Sequence, residues 1–238
     1  MRMEADHLPW IVAMGASGGQ GLQDIKALLA ALPERLPAAI LVVLHRPINK
    51  ISHLREILER CSAIPVIVAR QDEPLRPGVC YIGEPDAHLT LVASELAALV
   101  PDATNAYRNR TIDLLFGSLA KAAAPRIVGV VLSGSLDDGS RGLASIHLAG
   151  GRVMVMTPDL ASSGQMPGSA ARYDGPMDFI GGAEAIADEV ARTVGGGRAG
   201  IDRRRGVLGD PAPARREAAG IIRPPPAPGG GLSPGPRA

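Results

Sequence analysis

Three apolar runs constrain this chain more than anything else in it. Each has the length of a buried strand, and each stops at a residue with reactive chemistry. Trp10-Ile11-Val12-Ala13-Met14 runs into Gly15-Ala16-Ser17-Gly18-Gly19. Ile40-Leu41-Val42-Val43-Leu44 ends at His45. Ile127-Val128-Gly129-Val130-Val131-Leu132 runs into Ser133-Gly134-Ser135-Leu136-Asp137-Asp138-Gly139. Runs without polar alternation suit strands covered on both faces, and parallel sheets bind ligands at the carboxyl ends of their strands. Were these three strands neighbours, a hydroxyl, an imidazole and a carboxylate would converge at one rim.

The segments between the runs carry helical spacing. Leu22, Ile25, Leu28, Leu29 and Leu32 form one stripe, stopped by Pro33. Ile51, Leu54, Ile57 and Leu58 form a second, with Ser52 or Asn49 available as caps. Further stripes run through Ile112, Leu115, Phe116 and Leu119, then Leu143, Ile146 and Ala149, then Ala183, Ile186, Ala187 and Val190. Residues 65–69 and 153–156 read as additional strands. Between Arg76 and Pro101 lie Val79–Ile82, Leu89–Val92 and Leu96–Val100, separated by turn-like residues. These predict a small antiparallel excursion set into the sheet. The expected fold is therefore α/β, a doubly wound, mostly parallel, Rossmann-like three-layer sheet with that excursion.

Hydrophobic residues make up 46% of the 238, enough for a substantial core, and aromatics only 3%, so the core must be aliphatic. The chain divides into an N-terminal arm over residues 1–9, a catalytic domain over 10–194 and a tail over 195–238. Runs of Gly, Pro and Arg in the tail cannot supply a packed core, which predicts disorder there. The tail holds eight arginines against three acids, so the remainder of this +1 chain carries a net charge of −4. That balance argues against a nucleic-acid surface on the folded part. The tail's arginines suit a membrane surface, an acidic partner or, more simply, a solvated extension. Cys61 and Cys80 fit no metal or redox spacing, and Cys61 reads as a buried thiol closing a helical stripe. No run reaches the roughly 18 apolar residues of a membrane helix, and the N-terminus lacks the apolar core of a signal peptide. The expected location is the cytoplasm.

Gly15-Ala16-Ser17-Gly18-Gly19 matches G-x-S-x-G, the pattern of a nucleophile at a sharp strand-to-helix turn. Gly18 and Gly19 would then offer backbone N–H groups to an oxyanion. The same residues fit a glycine-rich turn with Ser17 as a helix cap, and the pattern alone leaves both open. A phosphate loop is disfavoured: no Walker or dinucleotide fingerprint occurs, and the loop contains no Lys or Arg. His45 emerges where an imidazole can transfer protons near neutral pH, or simply begins a loop before Pro47. Asp137 or Asp138 can orient a histidine, or serve as a turn or cap residue. The order Ser, His, Asp differs from the Ser, Asp, His order of α/β-hydrolases, which excludes a straightforward lipase.

Taken in order, the motifs resemble those of the chemoreceptor protein-glutamate methylesterases of bacterial chemotaxis, over about Trp10 to Val194. The resemblance rests on Gly15-Ala16-Ser17-Gly18-Gly19, His45-Arg46-Pro47, Pro77-Gly78-Val79-Cys80-Tyr81, His88-Leu89, Ile112-Asp113-Leu114-Leu115-Phe116, Ser133–Gly139 and Met166-Pro167. It implies a serine hydrolase that removes methyl groups from glutamate methyl esters of methyl-accepting chemoreceptors and deamidates certain receptor glutamines. It further implies Ser17 as nucleophile, His45 as general base and acid, and Asp138 as orienting carboxylate, with no metal or organic cofactor. Ser135, Met166 and Pro167 fall where the family lines its substrate site. Gly18, Gln20 and Ser135-Leu136 depart from the family pattern. They motivate two alternatives, a receptor-binding module without turnover and a related esterase with another substrate. Nine residues precede the first strand, so the receiver domain common in the family is not expected.

Overall fold

The computed structural model describes residues 9–46, 52–93, 95–102, 110–123, 125–134, 137–157 and 177–196. The first apolar run forms β1 (Trp10–Ser17) and the second forms β2 (Ala38–His45). Next come β3 (Val66–Val68), β4 (Cys80–Ile82), β5 (Ala87–Ala93), β6 (Leu96–Pro101) and β7 (Ile127–Val131). β8 (Arg152–Met156) and β9 (Phe179–Gly181) complete the strands. A seven-stranded sheet runs in the order β3-β4-β2-β1-β7-β8-β9, and every pairing in it is parallel. β1 is therefore flanked by β2 on one side and β7 on the other. From β1 the chain passes to β2, then to β3 at the edge, and β4 fills the place between them before the chain crosses back to β7, β8 and β9 on the other side. Such a switch point leaves a crevice at the strands' carboxyl ends, because successive crossovers depart to opposite sides.

Helices cover both faces. Val12, Met14 and Ala16 point into one core with α1 (Gly18–Ala31), α2 (Leu54–Glu59) and α5 (Ala183–Gly195). Ile11 and Ala13 point into the other with α3 (Thr111–Ala122) and α4 (Ser140–Leu148). Side chains alternate along a strand with period two, so Gly15 and Ser17 belong to the α3 side. The close approach of α3 there requires a glycine. A Cβ on Gly15 would lie 2.3 Å from Ile112 Cγ2.

The expected doubly wound sheet is present, with one correction. Cys80–Ile82 is not part of an antiparallel excursion; it lies between β3 and β2 as a parallel strand. Its residues are buried toward both cores, as an interior parallel strand requires. Among the strands of the described residues only β5 and β6 pair antiparallel, and they form a separate two-stranded sheet against α3. β9, three residues long, is an edge strand too short for periodicity to reveal. Two local expectations also change. Cys61 is half-buried, with its thiol against the Leu58 carbonyl, while Cys80 is the buried cysteine. His53 rather than Ser52 occupies the N-cap position of α2 and makes no side-chain cap bond, while Ser52 Oγ accepts from Leu54 N at 3.4 Å; Asn49 lies outside the described residues.

Gly15→Ala should lower unfolding stability by about 1–3 kcal/mol, because Ile112 must move to admit the methyl group. Urea unfolding measures this directly; an unchanged midpoint would reject the packing account of Gly15.

Candidate active site

Ser17 is the last residue of β1 and has an extended backbone, φ −141° and ψ 143°. The turn into α1 is made by the next residue, Gly18, at φ +72°. In the nucleophile elbow of α/β-hydrolases the strain sits at the nucleophile itself; here a glycine absorbs it. The Ser17 N–H donates to the Ser133 carbonyl at 3.0 Å, which prolongs the β1–β7 pairing past the end of β7. The Ser17 side chain caps nothing. Gly18 and Gly19 are exposed at the start of α1, where the first-turn N–H groups have no acceptor within the helix. The first turn of α1 contains no acid.

His45 ends β2 and is the register partner of Ser17 across the parallel pair. Neighbouring strands lie roughly 4.8 Å apart, and register partners face the same side. The sheet therefore sets the two residues side by side. No hydrogen bond joins their side chains among the described residues. The imidazole is nearly buried, and its Nε2 donates to Asp138 Oδ2 at 2.8 Å. A carboxylate only accepts, so in the neutral ring Nε2 carries the hydrogen and Nδ1 keeps the lone pair. That Nδ1 is shielded from solvent and has no partner.

Asp138 lies in the turn between β7 and α4, with its side chain fully buried. It does not cap its own helix, whose N-cap is Gly139. Instead it caps α3: Oδ2 accepts from Ile112 N and Oδ1 from Asp113 N, both at 2.8 Å. Backbone donors and the imidazole thus satisfy a carboxylate that burial would otherwise penalise. Asp137, its neighbour, is exposed.

Several residues that frame this arrangement carried no functional reading in the sequence. Asp24 on α1 accepts from Ser133 N at 3.0 Å and so anchors the start of the loop that leads to Asp138. The sequence shows Asp24 only as an acid four residues before Leu28, on the apolar face of the stripe, with nothing to name its partner. The Asp113 carboxylate accepts from Gly139 N and Gly142 N, and burial is the main cause that pushes its pKa up. The Arg46 guanidinium donates to Ser52 Oγ and the Gly83 carbonyl, tying the end of β2 to the end of β4. Burial also lowers its pKa. Arg46, Glu84, His88 and Thr111 join His45 in lining a cavity of about 40 Å³. His88 Nε2 donates to Asp102 Oδ2 at 2.9 Å, a second buried His–Asp pair.

The expected residues Ser17, His45, Asp138, Gly18 and Gly19 all fall at this rim. Ser135, Met166 and Pro167 lie outside the described residues. A thiol is a poor rival nucleophile: Cys80 is fully buried and its pKa is pushed up to about 12. Among the described residues no group of three or more His, Cys, Asp or Glu is arranged to hold a metal ion. The arrangement suits acyl transfer, with a hydroxyl beside a carboxylate-oriented imidazole and an open helix N-terminus.

The family model described as CheB methylesterase matches residues 12–190. The protein-glutamate methylesterase/protein-glutamine glutaminase 3 of Anaeromyxobacter dehalogenans (strain 2CP-C) is 38% identical over 182 residues, 76% of this chain and 53% of the relative. A protein-glutamate methylesterase/protein-glutamine glutaminase 2 from Methanosarcina mazei is 28% identical over 191 residues, 77% of this chain and 52% of its own. The crystal structure of the Thermotoga maritima CheB methylesterase catalytic domain superposes with a TM-score of 0.70 at 28% identity. That match covers 77% of this chain and 98% of the domain. The chain spans about half the length of the curated relatives it matches.

Asp138→Ala would strand buried backbone donors at the start of α3 and should cost about 1–3 kcal/mol of stability. Asp137→Ala, one residue away and exposed, should stay within about 0.5 kcal/mol. Parallel thermal unfolding of the two variants checks this; equal losses would reject the capping role of Asp138.

Proposed function

The chain belongs to the CheB methylesterase family, and from that membership we propose that it hydrolyses glutamate methyl esters on methyl-accepting chemoreceptors. The observation that carries the proposal is the neighbourhood of Ser17, His45 and Asp138: register partners at adjacent strand ends, one of them bonded to a buried carboxylate.

The chemistry follows from those positions. Ser17 Oγ attacks the ester carbonyl carbon while His45 Nδ1 takes the hydroxyl proton. Asp138 keeps Nε2 protonated and stabilises the imidazolium that results. Negative charge develops on the former carbonyl oxygen and meets first-turn N–H groups of α1 near Gly18 and Gly19. Collapse of this intermediate breaks the bond to the methoxy oxygen. His45 returns the proton, and methanol leaves. Water, deprotonated by the same nitrogen, then attacks the glutamyl-serine ester and frees the glutamate carboxylate and Ser17. A glutamine side chain enters the same sequence with ammonia as the leaving group, which accounts for a deamidase activity. No step calls for a metal or an organic cofactor.

The reading sets the reaction in the cytoplasm, at the receptor. Among the described residues no helix is long and apolar enough to cross a membrane. The arginine-rich residues 195–238 suit recruitment by an acidic partner.

Methanol release from methylated chemoreceptors tests the proposal. Ser17→Ala should lower kcat by about a million-fold, to the detection limit, while thermal unfolding stays near that of the unaltered protein. Substantial turnover by Ser17→Ala would reject the nucleophile assignment. Receptor binding without methanol release from the unaltered protein would favour a binding module instead.

A further inference from the structure

The acidic residue next to the α3 start, Asp113, takes no part in the steps above, yet its contacts mirror those of Asp138. Asp138 sits just before the Gly139 N-cap of α4 and accepts from Ile112 N and Asp113 N, two free donors in the first turn of α3. Asp113 sits in the first turn of α3 and accepts through one oxygen, Oδ1, from Gly139 N at 3.0 Å and Gly142 N at 2.7 Å. Those are two of the free donors at the start of α4, whose own N-cap is a glycine with no side chain to offer. Each carboxylate therefore caps the other's helix. The two residues are 25 positions apart, so neither cap is a local helix signal.

Resting on the reading of Ser17, His45 and Asp138 as a hydrolytic site, we propose that Asp113 is a positioning residue, fixing the turn from Asp138 into α4 so that the Asp138 carboxylate stays aligned with His45 Nε2. The His45 bond uses the same Oδ2 that accepts from Ile112 N. Rotation of the Asp138 carboxylate would therefore disturb the imidazole contact and the α3 cap together. Among the described residues, the Gly139 and Gly142 bonds to Asp113 tie the backbone on the C-terminal side of Asp138 to a second element, α3, in addition to α4's own hydrogen bonds. The arrangement carries a cost that argues for its specificity. Asp113 is half-buried beside a second carboxylate, and that partial burial together with Asp138 raises its pKa against the lowering effect of the Gly139 and Gly142 bonds and nearby Arg141. A generic first-turn acid on a solvated helix would bear neither penalty.

Three substitutions separate positioning from a merely structural role. Asp113→Asn keeps an oxygen at the Oδ1 position and should retain kcat within about threefold. Asp113→Ala removes the acceptor, and Asp113→Glu displaces it by about one bond length while retaining the charge. Both should lower kcat by about 100-fold with KM changed less than threefold, the scale expected for a displacement near 1 Å. If Asp113→Ala fails to fold, Asp113→Glu carries the test. Unaltered kcat in Asp113→Glu, or equal losses in Asp113→Glu and Asp113→Asn, would overturn the proposal. A readout independent of turnover is the ¹⁵N spectrum of the His45 ring. Asp113→Glu should reduce the Nε2-protonated tautomer relative to the unaltered protein, and Asp113→Asn should not. An unchanged ring spectrum in Asp113→Glu overturns the proposal even if the unaltered protein releases no methanol, an outcome that by itself would sink only the esterase reading.

Discussion

One buried carboxylate holds the working edge of this sheet together. Asp138 accepts two backbone N–H groups from α3 and the Nε2 hydrogen of His45. A desolvated carboxylate is expensive, and charge-assisted hydrogen bonds to fixed donors are what offset that cost. The donors must therefore be where Asp138 needs them, which sets the start of α3. The start of α3 in turn requires Ile112 to settle over β1, and that is possible only because residue 15 has no side chain. A glycine two residues before Ser17 and a carboxylate more than a hundred residues later thus belong to one packing problem.

The same bond sets the orientation of the imidazole. In the familiar Ser-His-Asp template the carboxylate holds Nδ1 and the serine faces Nε2. Here Nε2 faces Asp138 and Nδ1 has the free lone pair. Under the proposed mechanism Nδ1 is then the base. The reversal follows from geometry. His45 is at a strand end beside its register partner Ser17, so the nearer ring nitrogen naturally serves the neighbouring strand. The farther one reaches the turn that follows β7. The triad logic needs a donor toward the carboxylate and a lone pair toward the hydroxyl, and either ring nitrogen can supply each.

What was legible in the sequence was what long periodic segments encode. β1, β2 and β7 are continuous apolar runs, so their carboxyl ends, and with them Ser17, His45 and Asp138, could be brought to one rim by parallel pairing alone. The Cys80–Ile82 strand was misassigned because three residues have no measurable period and their turn-rich flanks resemble a hairpin. Asp24 and Asp113 were overlooked for a different reason. Each accepts hydrogen bonds from backbone groups far away in sequence, Ser133 for one and Gly139 and Gly142 for the other. A backbone donor carries no residue identity, so such a partnership leaves no pairwise trace in a single sequence. An acid in the first turn of α3 also looks like ordinary complementarity to the helix dipole.

Three helices begin at this rim, and their positive ends are treated differently. The end of α3 is filled by Asp138 and the end of α4 by Asp113. Neither α1 nor α4 has an acid in its first turn, but α4 has Asp113 on its N–H groups, whereas α1 has no carboxylate bonded to its first N–H groups among the described residues. It is also the helix that starts at Ser17. A negative charge forming on a substrate held at Ser17 therefore meets the end of α1, which among α1, α3 and α4 is the one with no carboxylate bonded to it among the described residues. Two carboxylates occupy the competing ends, and one of them, Asp138, also holds the imidazole. The side chain that aligns His45 thus belongs to the pair that leaves α1 as the open helix end beside Ser17.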